Sequence, residues 1–246
     1  MQNIINIKVM KKLNVLFLML LLVAFPASYT FAQNRTTIDK SYPVQSFSSI
    51  ECEAVAKIIF TQTEKHSVRA EGDKEMIDKL NVSVHKGVLK IAHKGKINHK
   101  DKMYLTIYIS SPTIEAIDAE GVGNWMLQGK VKTPILKIDF EGVGNFEALD
   151  LEIPSIKAEY EGVGNLMLGG TTNFIEIKSE GVGKVDTQKL LAKSVVLKAS
   201  GIGSVKVYAS ESIDLNNEGV GSVTYYGNPT VKNLKNSGVG KIKQGQ

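Results

Sequence analysis

Seven carboxylates recur at fixed distances from a repeated glycine phrase. The phrase EGVGN occupies residues 120–124, 141–145 and 161–165, and acids stand one and three positions before its first glycine. The acids of this set are Asp118, Glu120, Asp139, Glu141, Glu159, Glu161 and Glu180. Hard divalent cations such as calcium bind several carboxylate and carbonyl oxygens. If the copies of the phrase stack, these acids form a candidate metal site, with calcium as its ion.

The same acids also fit a solvated, charged face. Strand parity predicts that all of them point outward on one face. Like charges about 4.8 Å apart repel by on the order of 1 kcal/mol even in water. Lys137, Lys157 and Lys178 are close enough in sequence to shield them. The residues leave both interpretations open, and no cofactor other than calcium is predicted.

Other residues that could do chemistry are few. His66, His85, His93 and His99 precede the repeats and lack the spacing of metal ligands. The single cysteine, Cys52, cannot form an internal disulfide. Nucleophile-elbow, zinc-protease and phosphate-loop motifs do not occur. No helix is predicted after the glycine phrase, which therefore does not fit a dinucleotide-binding loop.

A lysine-rich stretch from His85 to Lys102 is a second candidate surface. Lysines on an exposed strand edge prevent pairing with other chains. The same lysines would also attract anionic envelope glycans or lipid headgroups. Both interpretations remain open from the sequence.

The glycine phrase occurs seven times, and its spacing is the main evidence for the fold. Related copies begin at Glu180, Ser200, Glu218 and Ser237, and the first glycines lie 18 to 21 residues apart. A repeat of this length predicts stacked units that cannot bury an apolar face alone. Glycine allows positive φ and close backbone approach, which suits a sharp corner. The predicted corner residues are Gly121, Gly123, Gly142, Gly144, Gly162, Gly164, Gly181, Gly183, Gly201, Gly203, Gly219, Gly221, Gly238 and Gly240.

Apolar residues stand four positions before and four positions after the first glycine of each copy. Ile117 and Ile138 begin the column before the corner, and Trp125 and Phe146 begin the column after it. Polar residues alternate with them, as expected of strands with one buried face. The pattern predicts an all-β fold, a parallel β-solenoid (β-helix) of about seven coils over residues 113–246. It also predicts that the valine of each corner points inward.

Residues 33–112 lack the phrase and are predicted to be a β region continuous with the solenoid. Strand patterns cover 47–62 and 66–72, a short helix begins at Asp73, and a hairpin turns at Lys86 and Gly87. We expect these elements to cap the N-terminal end of the solenoid and to shield its strand edge.

Residues 1–32 are predicted to be a signal peptide. Lys8, Lys11 and Lys12 precede an apolar segment at 13–25, and Ala32 ends a small-residue cleavage site. That segment is shorter than the roughly 20 residues a spanning helix needs, so no transmembrane segment is predicted after signal removal. Without these three lysines the 30 basic residues become 27, against 25 acidic ones, which does not favour nucleic acid. The exported product is predicted to be periplasmic, extracellular or at the cell surface.

The layout resembles a known family. SFSSIECEAVAKIIFTQ at 46–62 and VLKIAHKGK at 88–96, followed by tandem glycine corners, are similar to the head GIN domain family of auto-transporter adhesins. The resemblance covers about residues 40–245. It implies a secreted or envelope protein with a right-handed β-helical body and no established activity.

These observations predict a non-catalytic, adhesin-like binding module of the cell envelope. Its ligand is an unknown envelope or extracellular component, and a glycan is one candidate. The alternative is a polysaccharide-active β-helix enzyme. A hydrolase of that kind needs two carboxylates in different environments, but no pair stands out, and the repeats contain neither arginine nor histidine.

Overall fold

A computed structural model describes residues 36–95 and 104–246. The expected signal peptide at 1–32 lies outside the described residues. The first eight strands are β1 (Thr37–Tyr42), β2 (Ser49–Cys52), β3 (Lys57–Gln62), β4 (Ser67–Asp73), β5 (Leu80–His85), β6 (Val88–His93), β7 (Leu105–Ser111) and β8 (Ala116–Ala119). A short helix, α1 (Lys74–Lys79), lies between β4 and β5.

The remaining strands carry the glycine repeats. They are β9 (Trp125–Gln128), β10 (Val131–Lys132), β11 (Ile135–Phe140), β12 (Val143–Glu152), β13 (Ser155–Tyr160), β14 (Val163–Ser179), β15 (Val182–Ala199), β16 (Ile202–Asn217), β17 (Val223–Tyr226), β18 (Thr230–Asn236) and β19 (Ile242–Gln244). The fold is an all-β parallel solenoid of about 6 turns, which confirms the predicted class.

Parallel pairing sorts the strands into three faces. The first face contains the strands that precede each corner: β6, β2, β8, β11, β13, the C-terminal parts of β14, β15 and β16, and β18. The second face contains the strands that follow it: β7, β3, β9, the N-terminal parts of β12, β14, β15 and β16, then β17 and β19. The third face is shorter and contains β10, the end of β12, and the middle of β14 and β15. Register shifts after Ala148, Met167 and Thr187 interrupt the ladders where the chain enters the third face.

The two glycines of a corner are required for different reasons. Gly144 has a φ of 145°, and a Cβ there would lie 1.8 Å from the carbonyl oxygen of Gly123 in the preceding coil. Gly162 lies outside the positive-φ region, but a Cβ there would be 2.2 Å from the carbonyl oxygen of Gly142. The second glycine therefore supplies the unusual φ, and the first is needed for close approach between coils.

The corner valines do not point inward, so that prediction was wrong. The seven side chains are 47% to 71% exposed. They are Val122, Val143, Val163, Val182, Ile202, Val220 and Val239. The period of two explains the difference, because the inward positions run through Ile138, Phe140 and the first glycine of the corner. The valine after that glycine consequently faces solvent.

The two predicted apolar columns are confirmed by the strand register. Ile117 pairs with Ile138, which pairs with Ala158, and Trp125 pairs with Phe146. Further along, the first column continues through Ile177, Leu197, Leu215 and Leu234, and the second through Leu166, Val185, Val205, Val223 and Ile242. Stacking like residue on like at strand spacing thus builds the continuous core.

Aromatic rings fill the core beside the corners. Phe140 stacks on Tyr160 with ring centroids 5.9 Å apart, and its edge packs on Phe146 at 6.1 Å. The hydroxyl of Tyr160 donates to the carbonyl oxygen of Gly164 at 2.8 Å. This bond satisfies a buried phenol and holds the corner against the core.

The N-terminal region contributes strands to the parallel stack as well as antiparallel ones. β2 and β3 lie between β6–β7 and β8–β9 in the ladders. Beyond them, β5 pairs antiparallel with β6, and β4 pairs antiparallel with β7 and β1. Met76 and Ile77 of α1 are buried. The hairpin turns at Lys86 and Gly87, as predicted, and both residues have positive φ.

The stack contains a corner that the sequence pattern did not indicate. Ala54, Val55 and Ala56 occupy it, and Val55 forms a parallel bridge with Val122. A Cβ at Gly121 would lie 2.0 Å from the carbonyl oxygen of Ala54. Alanine replaces both glycines here, so a search for the glycine phrase passes over this coil.

Candidate functional site

The predicted acids form an outward ladder beside the corners. Asp118, Asp139 and Glu159 are register partners in successive coils of the first face. Glu120, Glu141, Glu161 and Glu180 are exposed at the corners themselves. Glu51 pairs in register with Asp118, and Glu53 stands at the position of Glu120, so the ladder extends by two acids that sequence reasoning missed. The motif ECEAV at 51–55 parallels DAEGV at 118–122, which is the signal that could have revealed them.

Lysines pair with acids at both ends of the ladder. At the N-terminal end, Lys90 Nζ lies 2.5 Å from Glu51 Oε2. Lys157 Nζ lies 2.7 Å from Glu159 Oε1. Lys178 Nζ lies 3.1 Å from Glu161 and 3.3 Å from Glu180. Lys137 Nζ reaches Asp139 at 3.7 Å. The column of residues three positions before the first glycine then changes from acidic to basic, because Glu159 pairs in register with Lys178.

Three acids of the ladder, Asp118, Glu120 and Glu141, take part in no ion pair within the described residues. Partial burial, followed by the charges of Asp139 and Glu51, raises the pKa of Asp118. The charge of Asp118 is the main cause that raises the pKa of Glu120. The hydrogen bond from Lys157 lowers the pKa of Glu159. Unrelieved repulsion is therefore concentrated at Asp118 and Glu120, between the ion pair of Glu51 and that of Asp139.

Within residues 36–95 and 104–246, no three His, Cys, Asp or Glu side chains are grouped as a bound metal ion would require. The ladder spreads its carboxylates along the strands instead of directing them at one point. Calcium binding by Asp118, Glu120, Asp139, Glu141, Glu159, Glu161 and Glu180 stays a prediction.

A groove with a volume of about 610 Å³ lies along the third face. We call it the third-face groove. It takes side chains from four successive coils, and its lining consists of Lys132, Thr133, Pro134, Glu152, Ile153, Pro154, Thr171, Thr172, Asn173, Leu191 and Lys193. Ile153, Thr133 and Thr172 are buried in its floor, whereas Leu191 is 53% exposed. At strand spacing, four coils give a groove about 14 Å long.

Two prolines help to form the groove. Pro134 lies between β10 and β11, and Pro154 lies between β12 and β13. Because proline has no N–H to donate, the ladder stops for two residues in each of these coils. The two prolines stand 20 residues apart at the same point of the repeat. This spacing is a sequence signal of the groove, whereas the spacing of the glycines carries no information about it.

Charged residues of the groove are stacked as opposites. Lys132 Nζ lies 2.6 Å from Glu152 Oε1, and Lys130 Nζ lies 3.4 Å from Glu152 Oε2. The hydrogen bond from Lys132 is the main cause that lowers the pKa of Glu152, which is therefore ionised at neutral pH. Two lysines share one carboxylate, so this cluster keeps a positive charge.

A glutamine fixes the position of Lys132. The side-chain amide of Gln62 donates to the carbonyl oxygens of Pro112 at 2.7 Å and Lys132 at 2.8 Å. Its Oε1 accepts from the backbone N–H of Lys132 at 2.7 Å. A second cavity of about 490 Å³ is lined by Gln62, Glu64, Pro112 and the two lysines. The groove and this cavity share Lys132.

The remaining predicted candidates form no site in the described residues. Burial raises the pKa of the Cys52 thiol to about 12, so it is not a nucleophile at neutral pH. His66 Nδ1 accepts a hydrogen bond from the N–H of Phe47 at 3.4 Å. Residues 96–102 of the lysine-rich stretch, which include His99, lie outside the described residues.

One protein family matches most of the chain. Residues 46–229 match the family described as "Putative auto-transporter adhesin, head GIN domain". The chain belongs to this family. None of the curated proteins compared with this head GIN domain chain matches it.

Solved structures agree with the family. A crystal structure of a putative adhesin from Bacteroides fragilis is 31% identical, covers 85% of this chain and 97% of its own, and has a TM-score of 0.83. A structure described as a putative lipid binding protein from Parabacteroides distasonis is 19% identical, covers 87% and 98%, and has a TM-score of 0.67. A putative adhesin from the same species is 18% identical, covers 86% and 98%, and has a TM-score of 0.64. At 19% and 18% identity, the likeness of the last two structures to this chain shows a shared fold.

Proposed function

We propose that the protein is a non-catalytic, exported binding module whose third-face groove holds an extended envelope or extracellular ligand. The observation that carries the proposal is the composition of the groove, which collects side chains from four coils along one line. Such a line suits a ligand that lies along the solenoid axis. Membership of an adhesin family and similarity to the Bacteroides fragilis adhesin support this function.

Electrostatics of the groove argue against the polysaccharide-active alternative. A glycoside hydrolase needs a protonated carboxylic acid beside a second carboxylate. Glu152 is the carboxylate of the groove lining, and its pKa is lowered by Lys132. An acid with a lowered pKa cannot donate a proton at neutral pH. These facts support binding without cleavage.

The proposed location is the cell surface or another exported compartment. The adhesin family supports it, and the predicted signal peptide at 1–32 would provide the route. In the described residues, no helix has both the length and the apolar character needed to cross a bilayer.

Binding of envelope material by matched variants tests the function. Leu191→Glu puts a charge in the groove, whereas Val182→Glu puts one on the same strand, β15, at a similarly exposed corner. We expect the parent and Val182→Glu to retain material from a glycan array or solubilised envelope fraction, and Leu191→Glu to lose it. Equal retention by all three proteins would refute the groove as the binding site, and release of new reducing ends would favour the enzyme.

A further inference from the structure

The geometry points to an anionic single-chain amphiphile, such as a long-chain fatty acid, as the ligand class of the third-face groove. This inference rests on the proposed function and names the chemistry of the ligand. It is drawn from three properties of the groove: a lining surface that is mostly apolar, polar side chains of which more than half are engaged by the protein, and positive charge at its ends.

Most of the surface that lines the groove is apolar, although only four of its eleven lining residues are. Ile153 lies in the floor, Leu191 is exposed in the fourth coil, and Pro134 and Pro154 lie in the first and second coils. Exposed apolar surface in a concave site is typical of ligand binding. The volume of about 610 Å³ lies within the range of small-molecule sites.

Four of the seven polar side chains in the lining, those of Lys132, Thr133, Glu152 and Thr172, are engaged by other groups of the protein. The Thr172 hydroxyl lies 3.2 Å from the carbonyl oxygen of Pro154 and 3.0 Å from that of Phe174. The Thr133 hydroxyl lies 3.2 Å from the hydroxyl of Thr113. Thr171, Asn173 and Lys193 are the exposed polar side chains that remain for a ligand. A sugar chain carries more hydroxyls than these three can pair, and unpaired hydroxyls are costly to bury. A hydrocarbon chain has no such requirement.

Lysines at both ends supply the charge complementarity. Lys130 and Lys132 share Glu152 at one end, which leaves one net positive charge. Lys193 is exposed at the other end and forms no ion pair within residues 36–95 and 104–246. A carboxylate at either end of an apolar chain would therefore meet an ammonium group. We assign the occupant as a fatty-acid carboxylate and not as the headgroup of a bilayer, because the apolar lining lies inside a groove.

Direct binding of matched twelve-carbon probes tests the assignment. Laurate, dodecanol and dodecyltrimethylammonium share a chain and differ in charge, and each is titrated below its micelle concentration by isothermal calorimetry. We expect laurate to bind most tightly and the cation most weakly. Leu191→Glu should weaken laurate at least tenfold, and Val182→Glu should leave it unchanged. The double variant Lys132→Gln, Lys193→Gln should weaken laurate about fivefold without changing dodecanol.

Several outcomes would overturn the assignment. Equal affinity for laurate and the cation, unchanged laurate binding in Leu191→Glu, or capture of phosphatidylglycerol vesicles without laurate binding would each reject a fatty-acid groove. If Leu191→Glu loses envelope or glycan binding while the parent ignores laurate, the ligand class is wrong and the binding groove stands. If Leu191→Glu keeps full envelope binding, the groove itself is not the site.

Discussion

The corner edge and the third-face groove place charges in opposite ways. At the corner edge, register stacks Asp118 on Asp139 and Asp139 on Glu159, so like charges are neighbours. In the groove, register stacks Lys132 on Glu152, and the two side chains form an ion pair. Cross-strand pairs of opposite charge stabilise a sheet, and like pairs destabilise it.

The difference indicates which side of the solenoid is constrained by structure and which is free for recognition. The seven glycine corners must be nearly identical, because each glycine packs against a backbone carbonyl of the preceding coil. The third face tolerates register shifts and interruptions of its ladder by prolines, and its residue types change from coil to coil. A repeat that varies on one side only can carry a specific site there without loss of the stack.

The largest expected loss of stability comes from substitution of a corner glycine. Gly164→Val places a branched side chain at a φ of 138° and 1.8 Å from the carbonyl oxygen of Gly144. We expect the free energy of unfolding to fall by about 4 kcal/mol or more, or folding to fail. Gly129→Asn is the control, because Gly129 has positive φ but no atom lies within 4 Å of its Cβ position. Its change should stay below about 1 kcal/mol in urea unfolding, and similar losses in both variants would contradict the corner argument.

The next prediction compares the stability contributed by a core residue beside the corners with that contributed by a residue of the third-face groove. Phe146 is fully buried and packs on Trp125 and Phe140. Phe146→Ala should lower the free energy of unfolding by about 3–5 kcal/mol. Leu191→Ala, in the groove, should lower it by less than about 0.5 kcal/mol. Thermal and urea unfolding measure both, and a large loss at Leu191 would mean that this leucine belongs to the core.

The regular side could be predicted from the sequence because its chemistry repeats. Columns through Ile138 and Phe146 follow from a period of two within a period of about twenty residues, and the strand register confirms them. The corner valine was misplaced because the inward position of the first glycine was not counted. Parity counted from Ile138 through Phe140 would have put Val143 outside.

The groove could not be predicted by the same means. Its residues come from four coils, and only Pro134 and Pro154 repeat one residue type at one point of the coil, so no longer column exists to recognise. Pro134 and Pro154 mark its location, but the ion pair of Lys132 with Glu152 depends on register within a two-residue strand. The coil of Ala54 and Ala56 was missed for a related reason, because alanine replaces the glycines that defined the search.

Electrostatic variants sharpen the comparison with effects of less than about 1 kcal/mol, because the groups are partly exposed. The pKa of Asp118 is raised from its ordinary 3.8, so the native state binds that proton more tightly than the unfolded chain does. The native state therefore loses stability as pH rises from 3.8 through the raised pKa. Asp118→Asn should therefore raise the melting temperature at pH 7.

The pKa of Glu159 is lowered from 4.5, so its contribution to stability is present above pH 4.5 and is lost on acidification. Glu159→Gln should lower the melting temperature at pH 7.

A pH series provides the check on these two signs. Both differences from the parent should vanish at a pH well below 3.8, where the carboxyl groups are protonated in the native and unfolded chains. Shifts of the same sign at pH 7, or differences that persist in acid, would show that the amide substitutions act through packing.

The smallest expected effect concerns calcium at the acidic ladder. Asp118, Glu120 and Glu141 have no lysine partner in the part of the chain that the structure describes, so a cation that reduces their repulsion should favour the folded form. Calcium at a concentration near its dissociation constant would add about 0.4 kcal/mol. The test compares melting with calcium and with chelator at fixed ionic strength, because monovalent salt also screens the ladder. A double variant, Glu141→Gln and Glu161→Gln, should lose the calcium gain and be more stable than the parent in chelator. Because Glu161 pairs with Lys178, Glu141→Gln alone separates relief of repulsion from loss of that pair. A parent that melts equally in calcium and chelator would leave the ladder as a solvated face.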